Sequence, residues 1–312
     1  SATTSLALCL EVLKIKPDDE VIVSDFSFPA TANVVENIGA VPIFADVDLK
    51  TYNMLPEDLE KKISSKTKAV IFVDALGNPS KIHEISAICK KHNIPLIEDA
   101  ACALGSSEYG VKNGNIADLT CFSFHPRKLL TTGEGGAVTT NDPSYADEIE
   151  TKLNHGAIFK EGKFQFITSG FNYRMTEMQA IMGIEGLKKL DKNIEIRNII
   201  KSKYIKALSE LGFIPQWKNN NSFHNVQSVI FTVPPDINRD KLIHHLKTKD
   251  IESTLGTYCL SNTSYYKSKY NDIQPNSKFL EENTITLPCY RGVNTRKIIK
   301  TISKYVFAET YS

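Results

Sequence analysis

An α/β fold is predicted, with a mostly parallel sheet covered by helices on both faces and a smaller α+β unit after it. Three observations predict it. Short apolar runs alternate with helix-period stretches from residue 4 to about 140. Runs such as Ala69-Val70-Ile71-Phe72-Val73 and Ile94-Pro95-Leu96-Ile97 are continuously apolar, as strands buried on both faces are. A long helical stretch over 176–210 then separates this half from a second one of different pattern.

The elements follow in order. A helix is expected over 4–15, opened by Ser1-Ala2-Thr3-Thr4, which reads as a phosphate-binding turn of the kind that follows a strand in a doubly wound sheet. A β-rich run at 20–24, a helix over 29–38 and a strand at 41–46 come next. A helix over 56–63 and a strand at 69–73 lead to an amphipathic helix over 81–92. Strands at 95–98 and 119–124 complete the parallel set, and a strand at 137–140, reached through a short glycine-rich link, suits an antiparallel return. The stretch over 176–210 has Thr176 and Glu177 near its start and Gly212 past its end. Beyond it come a strand at 226–233 and helices over 239–249 and 295–305. The expected division is a large domain at 1–190, and a connecting helix with a small C-terminal domain at 191–312.

With 312 residues the chain can bury a large core. Its net charge of +1 gives no reason to expect nucleic acid or an anionic membrane as a partner. No apolar run approaches the roughly 20 residues that cross a bilayer. No signal peptide is visible, so a cytoplasmic protein is expected. Cys9, Cys89, Cys102, Cys121, Cys259 and Cys289 form no C-x-x-C pair, and buried free thiols are expected instead of disulfides. The histidines show no metal-ligand spacing, so no metal is expected.

The chemistry concentrates in two segments. Phe122-Ser123-Phe124-His125-Pro126-Arg127-Lys128 brings a lysine to the end of an apolar strand, just ahead of Thr131-Thr132-Gly133-Glu134-Gly135-Gly136. Upstream, Ile94-Pro95-Leu96-Ile97-Glu98-Asp99-Ala100-Ala101 brings an aspartate to the end of another strand. Pyridoxal phosphate chemistry requires this pairing. The lysine amine binds the cofactor covalently, and the aspartate keeps the pyridine nitrogen protonated so that the ring accepts electrons. Partial burial beside a cationic ring is expected to lower the lysine pKa.

Together with Ser1-Ala2-Thr3-Thr4, Asp25-Phe26-Ser27-Phe28-Pro29-Ala30-Thr31-Ala32-Asn33 and Gly170-Phe171-Asn172-Tyr173-Arg174-Met175, these segments resemble the sugar aminotransferases of the DegT/DnrJ/EryC1/StrS family, which are fold-type-I enzymes dependent on pyridoxal phosphate. The resemblance covers nearly the whole chain and is strongest over 1–190. It implies a large domain with a mostly parallel seven-stranded sheet. It also implies transfer of an amino group from an amino acid, expected to be L-glutamate, to a nucleotide-linked keto-deoxysugar in polysaccharide biosynthesis. Two alternatives stay open: transfer to a cyclitol ketone or related ring acid, and a non-catalytic homologue that only binds the cofactor. The family carries a helix and a strand upstream of the position matching Ser1, so the chain is expected to lack an N-terminal segment.

The resemblance implies roles residue by residue. Lys128 would also move a proton between substrate and cofactor carbons, and it argues against a dehydratase branch that has histidine there. Backbone amides of Ala2, Thr3 and Thr4, with the hydroxyls of Thr3 and Ser123, would hold the phosphate; the family usually has glycine where Ala2 stands. Phe28 would stack on the ring, with Phe26 as the competing candidate. Cys102 stands three positions after Asp99, where the family usually has glutamine, histidine or another polar residue near the ring. Asn172 would cross a homodimer interface to the partner's cofactor phosphate, giving a shared active site. His125 either faces the site or packs at the strand end. Arg291, in Leu287-Pro288-Cys289-Tyr290-Arg291, either meets an anionic substrate group or is simply exposed.

Overall fold

A computed structural model of the chain describes residues 1–310. The first half is built on β1 (Glu20–Ser24), β2 (Val41–Ala45), β3 (Thr67–Val73), β4 (Leu96–Asp99), β5 (Leu119–Ser123) and β6 (Gly136–Thr139). They form one sheet in the order β2-β1-β3-β4-β5-β6. The first five are parallel and β6 runs antiparallel to β5, as the glycine-rich link suggested. The apolar runs are covered on both sides. Val21, Val23, Ala69 and Ile71 enter one core with α1 (Ala2–Val12) and α2 (Ala30–Asn37). Ile22, Val70 and Phe72 enter the other with α3 (Pro56–Lys62) and α4 (Ile82–Lys91). The valine, isoleucine and phenylalanine side chains among these each contribute about 1.5–3 kcal/mol on burial, so the sheet is held from both faces.

Seven strands follow from the resemblance, but six form this sheet among the described residues. Two other extended pieces of this half are two residues long and pair with the second half. Phe26–Ser27 pairs with Tyr258–Cys259, and Ser107–Glu108 with Ser222–Phe223. The start of α1 lies against β6. A Cβ on Gly136 would stand 2.7 Å from the Ser1 carbonyl carbon, so glycine permits the approach.

Next in the chain is α5 (Pro143–Leu153), which the sequence reading passed over. Asp142 caps it by accepting the Ser144 N–H at 2.8 Å, and proline opens the first turn. A hairpin of β7 (Ala157–Lys160) and β8 (Lys163–Phe166) follows. The helical stretch over 176–210 proves to be two helices, α6 (Glu177–Leu187) and α7 (Leu190–Leu208). Gly183 and Gly186 weaken the helix near the break and let α6 lie close to Thr132 and Leu130.

The second half carries β9 (Val229–Thr232), α8 (Arg239–Lys247), α9 (Ser264–Tyr270), α10 (Pro275–Asn283), β10 (Thr284–Leu287) and α11 (Thr295–Thr310). β9 and β10 pair antiparallel, flanked by short strands at Ile214–Pro215 and Thr254–Leu255. Their own core takes Tyr204 and Leu208 from α7, Leu242 and Leu246 from α8, and Ile298 and Ile302 from α11. The strand expected at 226–233 is shorter because Val226 takes φ +58°, outside extended backbone. Residues 258–283 return to the first half: Tyr266 joins its core, and Leu280 packs with Phe26 and Tyr52. Among the described residues no helix is long and apolar enough to cross a membrane.

Candidate active site

In an open parallel sheet, polar groups gather in the crevice beyond the carboxyl ends of the strands. Here β3, β4 and β5 end side by side, with Val73 opposite Asp99 and Asp99 opposite Cys121. After β5 the chain enters a turn in which the Lys128 N–H donates to the His125 carbonyl at 2.9 Å. Lys128 therefore lies in the connection between β5 and β6 instead of on the strand itself.

Asp99 is 7% exposed. Its Oδ1 accepts the Ala101 N–H at 3.1 Å and its Oδ2 accepts the Thr31 hydroxyl at 3.2 Å. Thr31 in turn pairs with the Ser27 hydroxyl at 2.9 Å. Burial pushes the Asp99 pKa up, only partly offset by the Ala101 N–H, the charge of Lys128 and Thr31. A buried carboxylate whose hydrogen-bond donors are all neutral is an acceptor suited to a cationic N–H.

The Lys128 amine donates to the Cys102 sulfur at 3.0 Å. Burial is the largest single influence on this amine and pulls its pKa down. Cys102 and Asp99 together outweigh it, and the net direction is upward. The lowering expected from the sequence depends on a cationic ring beside the amine; the protein's own electron-rich neighbours act in the other direction.

One cavity of about 390 Å³ is lined by Ala2, Thr3, Phe28, Asp99, Cys102, Ser123, His125 and Lys128. The structure thus brings together residues from four separate stretches of chain. Phe28 is 63% exposed, whereas Phe26 is fully buried with its ring edge-on to Tyr52. His125 Nε2 stands 3.9 Å from Glu134 Oε1. Three residues singled out from the sequence lie outside this cavity. The N–H and hydroxyl of Thr4 both bond to Ser1 in the cap of α1. Asn172 forms a β-bridge with Asn154. Arg291 is exposed on the turn after β10.

Sequence reasoning missed a second acid pair. Asp74, also lining the cavity, and Glu98 are fully buried, and both accept from the Asn113 amide at 2.6 Å. Glu98 also accepts the Thr120 hydroxyl at 2.7 Å and the Gly114 N–H at 3.1 Å. Burial raises both carboxyl pKa values, and for Asp74 the neighbouring Glu98 raises it further. The available signal was an acid directly after a buried strand, the same signal that marked Asp99.

The cavity joins a helix amino terminus, which favours an anion, to a buried carboxylate, which favours a cation, and to a primary amine. Pyridoxal phosphate offers the matching set: a phosphate, a protonated ring nitrogen and an aldehyde. The fold and this site define a pyridoxal-phosphate-dependent aminotransferase of fold type I. The chain belongs to the DegT/DnrJ/EryC1/StrS aminotransferase family, whose model matches residues 1–305. It is 31% identical to the GDP-perosamine synthase of Vibrio cholerae, over 98% of this chain and 84% of that one. It is 33% identical to the GDP-perosamine synthase of Escherichia coli O157:H7, over 96% of this chain and 81% of that one. The PLP form of a sugar aminotransferase from Streptococcus pneumoniae, Spr1654, superposes with a TM-score of 0.93 at 27% identity, covering 99% of this chain and 86% of that one.

Proposed function

We propose that this aminotransferase takes an amino group from L-glutamate and delivers it to the ketone of a nucleotide-linked deoxysugar. The observation that carries the reading is the grouping of Lys128, Asp99 and the start of α1 in one cavity. The names of the relatives support the sugar acceptor.

When bound, pyridoxal phosphate supplies an electron-accepting ring. The protein's own residues do the rest. Asp99 holds the ring nitrogen charged. Lys128 binds the cofactor and moves a proton at its Nζ. The backbone of Ala2 and Thr3, with the hydroxyls of Thr3 and Ser123, holds the phosphate, and Thr4 is left to cap the helix. Phe28 covers the ring face and excludes water, and Cys102 stands at the ring edge. His125 faces the acceptor. No role inside this cavity is proposed for Arg291.

The functional unit is proposed to be a homodimer. No residue of α6 is buried, and Met178, Ile181, Ile184 and Leu187 are exposed on it. Phe159, Phe164 and Phe166 of the neighbouring hairpin are exposed as well. Exposed apolar side chains in this number call for a partner, and a second copy would bring Asn172 to the other subunit's phosphate. The proposed division into domains at 190/191 is supported by the separate core beneath β9 and β10.

The test is spectroscopic. L-glutamate should bleach the visible band of the bound cofactor, and a nucleotide-linked keto sugar should restore it. Restoration by a free cyclitol ketone alone would replace this reading with transfer to a ring ketone.

A further inference from the structure

A short segment just ahead of β9 grips the backbone of three loops around the cavity. His224 Nε2 lies 3.1 Å from the Leu76 carbonyl, in the loop after β3. The Asn225 amide donates to the carbonyls of Cys102 at 2.8 Å and Leu104 at 3.0 Å, in the loop after β4. Gln227 reaches the third loop, after β5. Its Nε2 donates to the Arg127 carbonyl at 2.8 Å, and its Oε1 accepts the Leu129 N–H at 3.1 Å. Lys128 is the residue between those two bonds.

The segment is itself held from behind by α7. The Arg197 guanidinium donates to the carbonyls of Val226 at 3.2 Å and Gln227 at 2.8 Å. The Asn198 amide donates to the His224 carbonyl at 3.3 Å. Lys201 Nζ lies 3.1 Å from His224 Nδ1. An ammonium can only donate, so Nδ1 accepts, and Nε2 carries the proton given to Leu76.

Two strained residues mark the contact. Val226 is fully buried at φ +58°, a conformation that a β-branched residue rarely adopts. Leu76, the residue that His224 holds, has φ +60°. Such conformations persist where the surroundings over-determine them.

We propose that Gln227 is the positioning residue for Lys128, and that residues 224–227 form a clasp that registers the three cavity loops on one another. A primary amide presents a donor and an acceptor on one planar end. It therefore takes the place of a strand partner for the peptides on both sides of Lys128, and it limits where the amine can point. The proposal rests on the reading that Lys128 carries the cofactor.

That reading is scored first and separately. Borohydride reduction of wild-type holoenzyme and peptide mass mapping should place the pyridoxyl group on Lys128; any other lysine removes the basis of the proposal. Two variants then test the clasp. Gln227→Met keeps the length and loses both bonds, and Gln227→Glu keeps the acceptor and loses the donor. Cofactor-free full-length protein is mixed with pyridoxal phosphate, and its covalent capture is followed by the visible band. A displacement of about 1 Å can cost about 10²-fold in rate. Capture by Gln227→Met should therefore slow by about 10²-fold, with Gln227→Glu between it and wild type. In the half-reaction with L-glutamate, kcat should fall with KM unchanged, and hydrogen exchange at the Leu129 amide should speed up while that of α8 stays as in wild type. Capture and half-reaction rates within threefold of wild type in Gln227→Met would overturn the proposal. If Gln227→Met does not fold, a wild-type capture rate in Gln227→Glu overturns it equally. Exchange that accelerates throughout the chain would reduce Gln227 to a general structural role and would also overturn it.

Discussion

Replacing Asp99 by asparagine separates what the carboxylate costs the fold from what it contributes to the reaction. The local hydrogen bonds survive the change. The asparagine Oδ1 can accept the Ala101 N–H, and its Nδ2 can donate to Thr31, whose hydroxyl then donates to Ser27. Each bond lost there would have cost about 1 kcal/mol, and none needs to be lost. The charge does not survive. A unit charge about 4 Å from a cationic nitrogen, at an effective dielectric constant near 20, is worth about 4 kcal/mol. That corresponds to about three decades in rate. Stability should move the other way. Burial holds the Asp99 pKa above its unfolded value, so the native state prefers the neutral acid. The group's contribution is full below the unfolded pKa and is lost as pH rises through the folded one. Asparagine is neutral throughout, so cofactor-free Asp99→Asn should gain stability relative to wild type as pH rises. The assays are denaturant melts of cofactor-free protein across pH and single-turnover kinetics of the holoenzyme with L-glutamate. Activity within threefold of wild type, or a stability difference that does not change with pH, would refute the reasoning.

Two further predictions concern other parts of the chain. Burial raises the Asp25 pKa to about 6, although Ser261 and Cys259 donate to it. Its stabilising contribution is full below about pH 4 and is lost as pH rises through about 6, so Asp25→Asn should gain about 3 kcal/mol on wild type between about pH 4 and pH 8; a flat difference in urea melts would contradict this. For the shared site, Lys128→Ala and Asn172→Asp should each be weak as homodimers, and co-expressed, differently tagged heterodimers should regain one intact site. Heterodimer activity no greater than the mean of the two parents would mean that Asn172 acts within its own subunit or not at all.

The buried pair of Asp74 and Glu98 lies beneath the same cavity. Burial raises both carboxyl pKa values, and the charge of Asp99 raises that of Asp74 further.

The sequence by itself determined the class of fold and the two residues at the centre of the chemistry. Buried parallel strands announce themselves as unbroken apolar runs, and Asp99 and Lys128 are marked by where those runs stop. These are local signals, carried by neighbours in the chain. Other features were decided only by tertiary contact. Val226 reads as part of an apolar strand, yet the grip of α7 and the cavity loops holds it at φ +58°. Gln227 reads as a polar residue of that same strand, and His224 as an ordinary polar residue just ahead of it. They acquire a task because the fold sets them against carbonyls about 100 and 148 positions away. Cys102 was marked as a departure from a pattern, and only the turn after β5 puts its sulfur against the Lys128 amine, whose pKa it helps to raise. The helical pattern over 176–210 did not show its break, because propensity is summed over neighbours whereas the break reflects what each half packs against. Periodicity records which face of an element is buried, and it carries no information about which distant backbone group a single polar side chain will meet.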